Sequence, residues 1–251
     1  MKVIGCIPAR YGSTRFEGKV LAKDTGKYLI QHTWEQATKA QLPEEVIIAA
    51  DDERILRACE QFGARCVMTR PDHASGTDRI AEATAGIEAD IVVNIQGDEP
   101  EIEPAHIDKV AGLLADDAQV VMSTLAAGFN SAEEVADPNV VKVVMDGRGR
   151  AMYFSRLPIP FDREAGGVGE VGNYRRHVGI YAYRKWFLQK LAGMEQTRLE
   201  KLEKLEQLRV LENGYDIVVG QVEHPAVGID TEQQYAEFVK RFQSRKEREN
   251  G

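Results

Sequence analysis

The sequence predicts an α/β fold: a mostly parallel central sheet with helices on both faces. Three observations predict it. Short Val/Ile/Ala runs read as buried strands, amphipathic stretches separate them, and Gly- or Asp-bearing polar segments follow each run. Val3 to Ile7 is the first strand, ended by Pro8, and a Gly-, Ser- and Arg-containing loop runs from Ala9 to Lys19. Ile30 to Ala40 reads as a helix and Val46 to Ala50 as a strand stopped by Asp51-Asp52. A helix over Glu53 to Phe62 is closed by Gly63, and Ala64 to Met68 is a third strand. Thr77 to Ala85 is helical, Asp90 to Ile95 a strand, Pro104 to Leu114 a helix and Val120 to Leu125 a strand.

Beyond this point the pattern is less regular. Val140 to Met145 and Ala151 to Ser155 read as strands about a Gly-Arg-Gly turn, and Pro158 to Gly172 as a loop. Val178 to Tyr183 is a strand and Trp186 to Ala192 a helix. Leu199 to Asn213 reads as one core-facing helix, although its leucines recur every three residues and so drift around the helix. Ile217 to Val222 is a late strand. Thr231 to Phe242 is a closing helix with Thr231 as its start signal, followed by a charged, frayed tail. The expected organisation is one domain over residues 1–243, a smaller lobe within it at about 137–200, and a tail at 244–251.

The 251 residues suffice for a large core without disulfides. The net charge of -8, with both signs interspersed, argues against a nucleic-acid partner. Cys6, Cys59 and Cys66 lack zinc-site or disulfide spacing and read as reduced thiols. With no membrane-length apolar run and no signal-peptide pattern, a cytoplasmic location is expected.

In parallel sheets ligands bind beyond the carboxyl ends of the strands, so polar residues just after strands are the candidates. Arg10, Arg15 and Lys19 lie in the loop after the first strand, whose backbone N–H groups suit phosphate oxygens; a solvated basic loop is the plain alternative. Val20 stands where a Walker loop needs Ser or Thr. Asp98, in Gln96-Gly97-Asp98-Glu99-Pro100, is a carboxylate of the kind magnesium takes, or part of an ordinary acidic turn. Asp230, in Gly228-Ile229-Asp230-Thr231, is a second such carboxylate or a helix cap. A basic and aromatic set, Arg156, Arg175, Arg176, His177, Tyr181 and Tyr183, suits a carboxylated sugar or a subunit interface. Asp51-Asp52 and Asp116-Asp117 lack the Asp-x-Asp spacing of a GT-A-like glycosyltransferase.

Taken together, several strings resemble the 3-deoxy-manno-octulosonate cytidylyltransferase (CMP-Kdo synthetase) family, in the family's order and over nearly the whole chain. They are Ile7 to Arg15, Thr69 to Arg79, Asn94 to Pro100, Asp137 to Lys142, Tyr153 to Arg156, Arg176 to Tyr181, Leu205 to Arg209 and Gly228 to Thr231. The resemblance implies a Rossmann-like nucleotidyltransferase fold and a homodimer. It implies transfer of CMP from CTP to the anomeric hydroxyl of Kdo for lipopolysaccharide precursor synthesis. Pro8, Ala9, Arg10, Arg15, Lys19, Ser75, Gly76 and Arg79 would hold the nucleotide, and Gln96, Arg156, His177, Tyr181, Glu206 and Gln207 the sugar. Asp98 and Asp230 would hold Mg²⁺ and, with Arg10 and Lys19, form the catalytic set. Glu17 stands where the family has a proline, which is expected to tune kinetics rather than abolish activity. Glu99 favours Kdo over its 8-amino analogue. A non-catalytic nucleotide-binding relative is the alternative from another class.

Overall fold

A computed structural model describes residues 1–12 and 16–249. The chain forms two compact units. The first comprises Lys2–Glu88, Asn94–Ala105 and Ala226–Gly251; the second comprises Ala89–Val93 and His106–Pro225, with Met1.

In the first unit β1 (Val3–Ala9), α1 (Leu29–Ala37), β2 (Pro43–Ala50), α2 (Glu53–Phe62), β3 (Cys66–Met68) and α3 (Gly76–Thr84) alternate as expected. The strands are parallel in the order β3-β2-β1. Almost every β1 residue is buried, which explains its unbroken apolar run. Asp52 caps α2 by accepting from Arg54 N–H, and Gly63 ends the helix at φ 77°, a left-handed conformation glycine adopts at no steric cost. Cys59 and Cys66 share a thiol hydrogen bond, and all three cysteines are free.

The second unit carries most of β4 (Ile91–Asn94) and of α4 (Pro104–Asp116), then β5 (Met122–Ala127), α5 (Ala132–Ala136), β6 (Lys142–Met145), β7 (Ala151–Ser155) and β8 (Arg176–Arg184). It continues with α6 (Lys185–Ala192), α7 (Arg198–Glu203), α8 (Gln207–Glu212) and β9 (Ile217–Val222). Its strand order is β4-β8-β5-β9. β9 is parallel to β5, whereas β8 is antiparallel to β5 and to β6, and β6 and β7 form a hairpin. At that hairpin Asp146 accepts from Arg148 and Arg150 N–H, and Gly149 sits at φ 76°.

Three sequence readings are corrected. The helix expected over Leu199 to Asn213 is two helices, broken where Lys204 takes a left-handed conformation, φ 54°. Of the leucine stripe only Leu205 and Leu208 are buried and Leu202 is 68% exposed, because a three-residue repeat does not hold one face of an α-helix. The tail read as frayed continues as α9 (Glu232–Glu249). Finally, α5 was absent from the sequence reading; its five residues are too few to show a helical period, although Ser131 caps it.

A buried ion pair holds α7 to α8. The Arg209 guanidinium forks onto Glu200, with Nε 2.8 Å from Oε2, and both residues are buried. Gly97 is fixed by close packing: a Cβ there would lie 2.9 Å from the Pro8 carbonyl oxygen and 3.2 Å from Ile30 Cδ1. Gly97→Ala is therefore expected to cost roughly 1–3 kcal/mol in denaturant unfolding, since backbone cannot yield as a side chain can.

Candidate active site

The cleft lies in the first unit, beyond the carboxyl end of β1, with a volume of about 410 Å³. Pro8, Ala9 and Arg10 enter it from the end of β1, Lys19 from the following loop, and Ser75, Gly76 and Arg79 from the start of α3. Gln96 and Asp98 come from the turn after β4, and Asp230 from the residue before the cap of α9. These ten residues of the sequence-derived set line one cavity; Arg15 lies outside the described residues. His73, Ala74, Val20 and Gly97 also line it and were not singled out as binding residues from the sequence.

The loop after β1 is pinned through Tyr11. Its N–H donates to Asp51 Oδ1 at 2.9 Å, its carbonyl accepts from Gly18 N–H at 3.2 Å, and the Arg54 guanidinium lies 3.4 Å from its ring centroid. Gly18, at φ 65° and with Tyr11 stacked where a side chain would go, turns the chain so that Lys19 points inward. Glu17 is exposed and does not line the cleft.

Asp51 is the functional neighbour the sequence reading missed. It receives both Tyr11 N–H and, at 3.2 Å, the Arg79 guanidinium, which also donates to Thr69 Oγ1 and the Arg70 carbonyl. Arg79 is thus a buried strut between β3 and α3. The signal was the Asp51-Asp52 stop after β2. Glu82 similarly gathers Arg70 and His73; burial raises its carboxyl, but hydrogen bonds from Arg70 and His73 hold it below the usual carboxylate range. Ser75 Oγ caps α3 by accepting from Asp78 N–H, so a helix N-terminus opens onto the cleft, a position that favours anions.

Asp98 and Asp230, 132 positions apart, meet at one ammonium. Lys19 Nζ is 2.8 Å from Asp98 Oδ2 and 3.5 Å from Asp230 Oδ1, and it also donates to the Ile229 carbonyl. Ile229 N–H in turn donates to the Asp98 carbonyl at 2.9 Å. Asp230 is not the cap of α9. Thr231 Oγ1 accepts from Gln234 N–H while Gln234 Oε1 accepts from Thr231 N–H, a capping box. The two carboxylates fit a magnesium ion, which takes one or two protein carboxylates and completes its shell with phosphate and water oxygens. Among the described residues no group of three or more metal-binding side chains occurs. Next to Asp98, Glu99 is buried, and burial together with the Asp98 charge raises its carboxyl to about 8.

The residues assigned to a sugar divide between the units. Gln96, in the first, donates to Asn94 Oδ1 at 3.3 Å. In the second, His177 and Tyr181 stack at 5.4 Å between centroids, and Tyr181 Oη is 3.5 Å from the buried Gln207 Oε1, with Glu206 the preceding residue. Arg156 spends three of its five N–H donors on the carbonyls of Glu203, Pro138 and Lys204. Thr124 Oγ1 lies 2.9 Å from His177 Nε2 and within hydrogen-bond distance of the Val178 and Ile180 carbonyls, which fixes the imidazole against β5.

Burial pushes His177 down to about 3. The unfolded chain takes up a proton near pH 6.5 and the folded chain does not. Stability from this group is therefore complete above about pH 6.5 and is lost as pH falls toward 3. Denaturant unfolding is expected to show His177→Gln losing about 1–2 kcal/mol less than the unmodified chain between pH 7 and 5.

The sequence profile of the cytidylyltransferase family matches residues 4–217. The 3-deoxy-manno-octulosonate cytidylyltransferase of Geotalea daltonii is 48% identical, over 98% of this chain and 100% of that protein. The one from Geotalea uraniireducens is 50% identical over 92% and 95%. A CMP:2-keto-3-deoxy-manno-octonic acid synthetase solved in complex with CTP superposes with a TM-score of 0.92 at 40% identity, covering 98% of this chain and 100% of that one. A 4-diphosphocytidyl-2C-methyl-D-erythritol synthase from Anaerococcus prevotii, with a TM-score of 0.64 at 13% identity over 96% and 99%, shares the fold. Strand-end cleft, sequence and superposition agree: the chain belongs to the 3-deoxy-manno-octulosonate cytidylyltransferase family.

Proposed function

We propose that the chain transfers CMP from CTP to the anomeric hydroxyl of Kdo, giving CMP-Kdo and pyrophosphate for lipopolysaccharide precursor synthesis. The observation that carries this reading is the cleft in which Lys19, Asp98 and Asp230 meet beside the N-terminus of α3. A transfer at phosphorus needs alignment and charge neutralisation more than a covalent nucleophile. Arg10 and Lys19 neutralise the leaving pyrophosphate, and the N–H groups at the start of α3 face the nucleotide. His177, Tyr181 and Gln207 hydrogen-bond to sugar hydroxyls, and the remaining Arg156 donors receive the sugar carboxylate. Asp98 and Asp230 hold Mg²⁺, which when bound supplies charge neutralisation at the phosphates and lowers the hydroxyl pKa.

We read the enzyme as a cytoplasmic homodimer with no nucleic-acid or membrane partner, as the family suggests. Exposed Met152, Leu157, Phe161, Trp186 and Leu202, all in the second unit, support a subunit contact there. No helix among the described residues is long and apolar enough to cross a membrane. The test is pyrophosphate release from CTP, UTP or ATP paired with Kdo or its 8-amino analogue. Release is expected with CTP and Kdo. Release with the amino sugar alone would transfer the assignment to that substrate, and silence from folded protein that binds CTP would leave a non-catalytic relative.

A further inference from the structure

We infer that Lys19 is an exchangeable counter-ion: it occupies the Asp98–Asp230 pair and keeps divalent cations off it until a triphosphate takes the ammonium. The inference rests on the proposed assignment of those two aspartates as metal ligands.

Three features support it. Among the described residues the Lys19 ammonium donates to Asp98 Oδ2 and the Ile229 carbonyl and is ion-paired with Asp230 Oδ1 at 3.5 Å, so its partners all belong to this one cluster. The Lys19 side chain is 10% exposed, whereas those of Asp98 and Asp230 are 31% and 46% exposed, so the ammonium is buried and the carboxylates are open to the cleft. The acceptor cluster is rigid: Ile229 binds Asp98 and Lys19 through its two backbone groups, and its side chain is in the core formed by Leu29, Tyr235 and Phe238.

A dication arriving at these carboxylates meets an ammonium already within hydrogen-bond reach of one of them. The repulsion is strong at such distances away from bulk water. The four-carbon lysine stem lets the ammonium move to another anion in the same cleft, and a triphosphate is one. Arg79 cannot substitute as that mobile cation, since Asp51, Thr69 and Arg70 hold it. Metal and nucleotide are thereby coupled, each favouring the other through one side chain.

The experiment measures Mn²⁺ binding to the full chain without nucleotide, by electron paramagnetic resonance of the free ion. Mn²⁺ takes the same oxygen ligands as Mg²⁺. Lys19→Met is expected to bind Mn²⁺ at least about tenfold more tightly than the unmodified chain, and Lys19→Arg to bind as weakly as it does. Adding Asp98→Asn to Lys19→Met should abolish the gain. Equal or weaker binding by Lys19→Met, or a gain that survives Asp98→Asn, overturns the inference. Should Lys19→Met fail to fold, Lys19→Gln enters the same titration with the same outcomes. No catalysis is read, so failure here is separate from failure of the proposed CMP transfer.

Discussion

Asp98→Asn is expected to lower kcat for CMP transfer by about three orders of magnitude while leaving the fold intact. Electrostatic stabilisation at a phosphoryl centre is commonly the largest single contribution to such rates, and loss of one charged element costs about 10² to 10³ or more. The amide keeps an oxygen that can accept from Lys19, now at 2.8 Å, so the local packing persists. What is lost is the negative charge that would hold a dication beside Asp230. Raising Mg²⁺ should recover part of the rate in Asp98→Asn, because a weakened metal site fills at higher concentration. Steady-state kinetics across a Mg²⁺ series checks this. Near-normal turnover with unchanged Mg²⁺ demand would remove Asp98 from the metal site.

The largest stability effect is expected at Glu200 and Arg209. Removing one partner of this buried, doubly hydrogen-bonded pair leaves the other charge without its counter-ion, at a cost of about 3–5 kcal/mol. Arg209 also donates to the Leu191 carbonyl at 3.2 Å, a bond that Arg209→Leu removes, while Met194 N–H still donates to that carbonyl. Replacing both residues with apolar side chains of similar volume should restore much of the loss, since the pair's attraction mostly offsets its desolvation. Denaturant unfolding of Glu200→Leu, Arg209→Leu and the double variant gives the coupling directly. Additive losses would mean that the two charges do not depend on each other.

The first unit was legible in the sequence because its rules are local. Buried parallel strands show as apolar runs, Gly63 marks a helix end, and a cleft follows the strand ends. The strings quoted for the family resemblance hold nine of the ten expected residues that line the cleft, and the tenth, Lys19, is read from the loop after the first strand. What stayed hidden depended on distant partners. Asp51 looked like a strand stop until Tyr11 and Arg79 were seen to converge on it. The left-handed Lys204 breaks a leucine-rich stretch with no glycine or proline to announce it. Whether Asp230 capped a helix was settled by Thr231 and Gln234, which do so in its place. Strand direction in the second unit was equally opaque, because a buried antiparallel strand such as β8 has the same apolar character as a parallel one.

The most direct test of CMP transfer uses CTP labelled at the α-phosphorus, and separately at the γ-phosphorus, with Kdo and Mg²⁺. The account predicts that the α label appears in a cytidine-containing sugar and the γ label in pyrophosphate. If the α label stays with CTP, or leaves as free CMP with no sugar adduct, the chain is not the transferase argued for above.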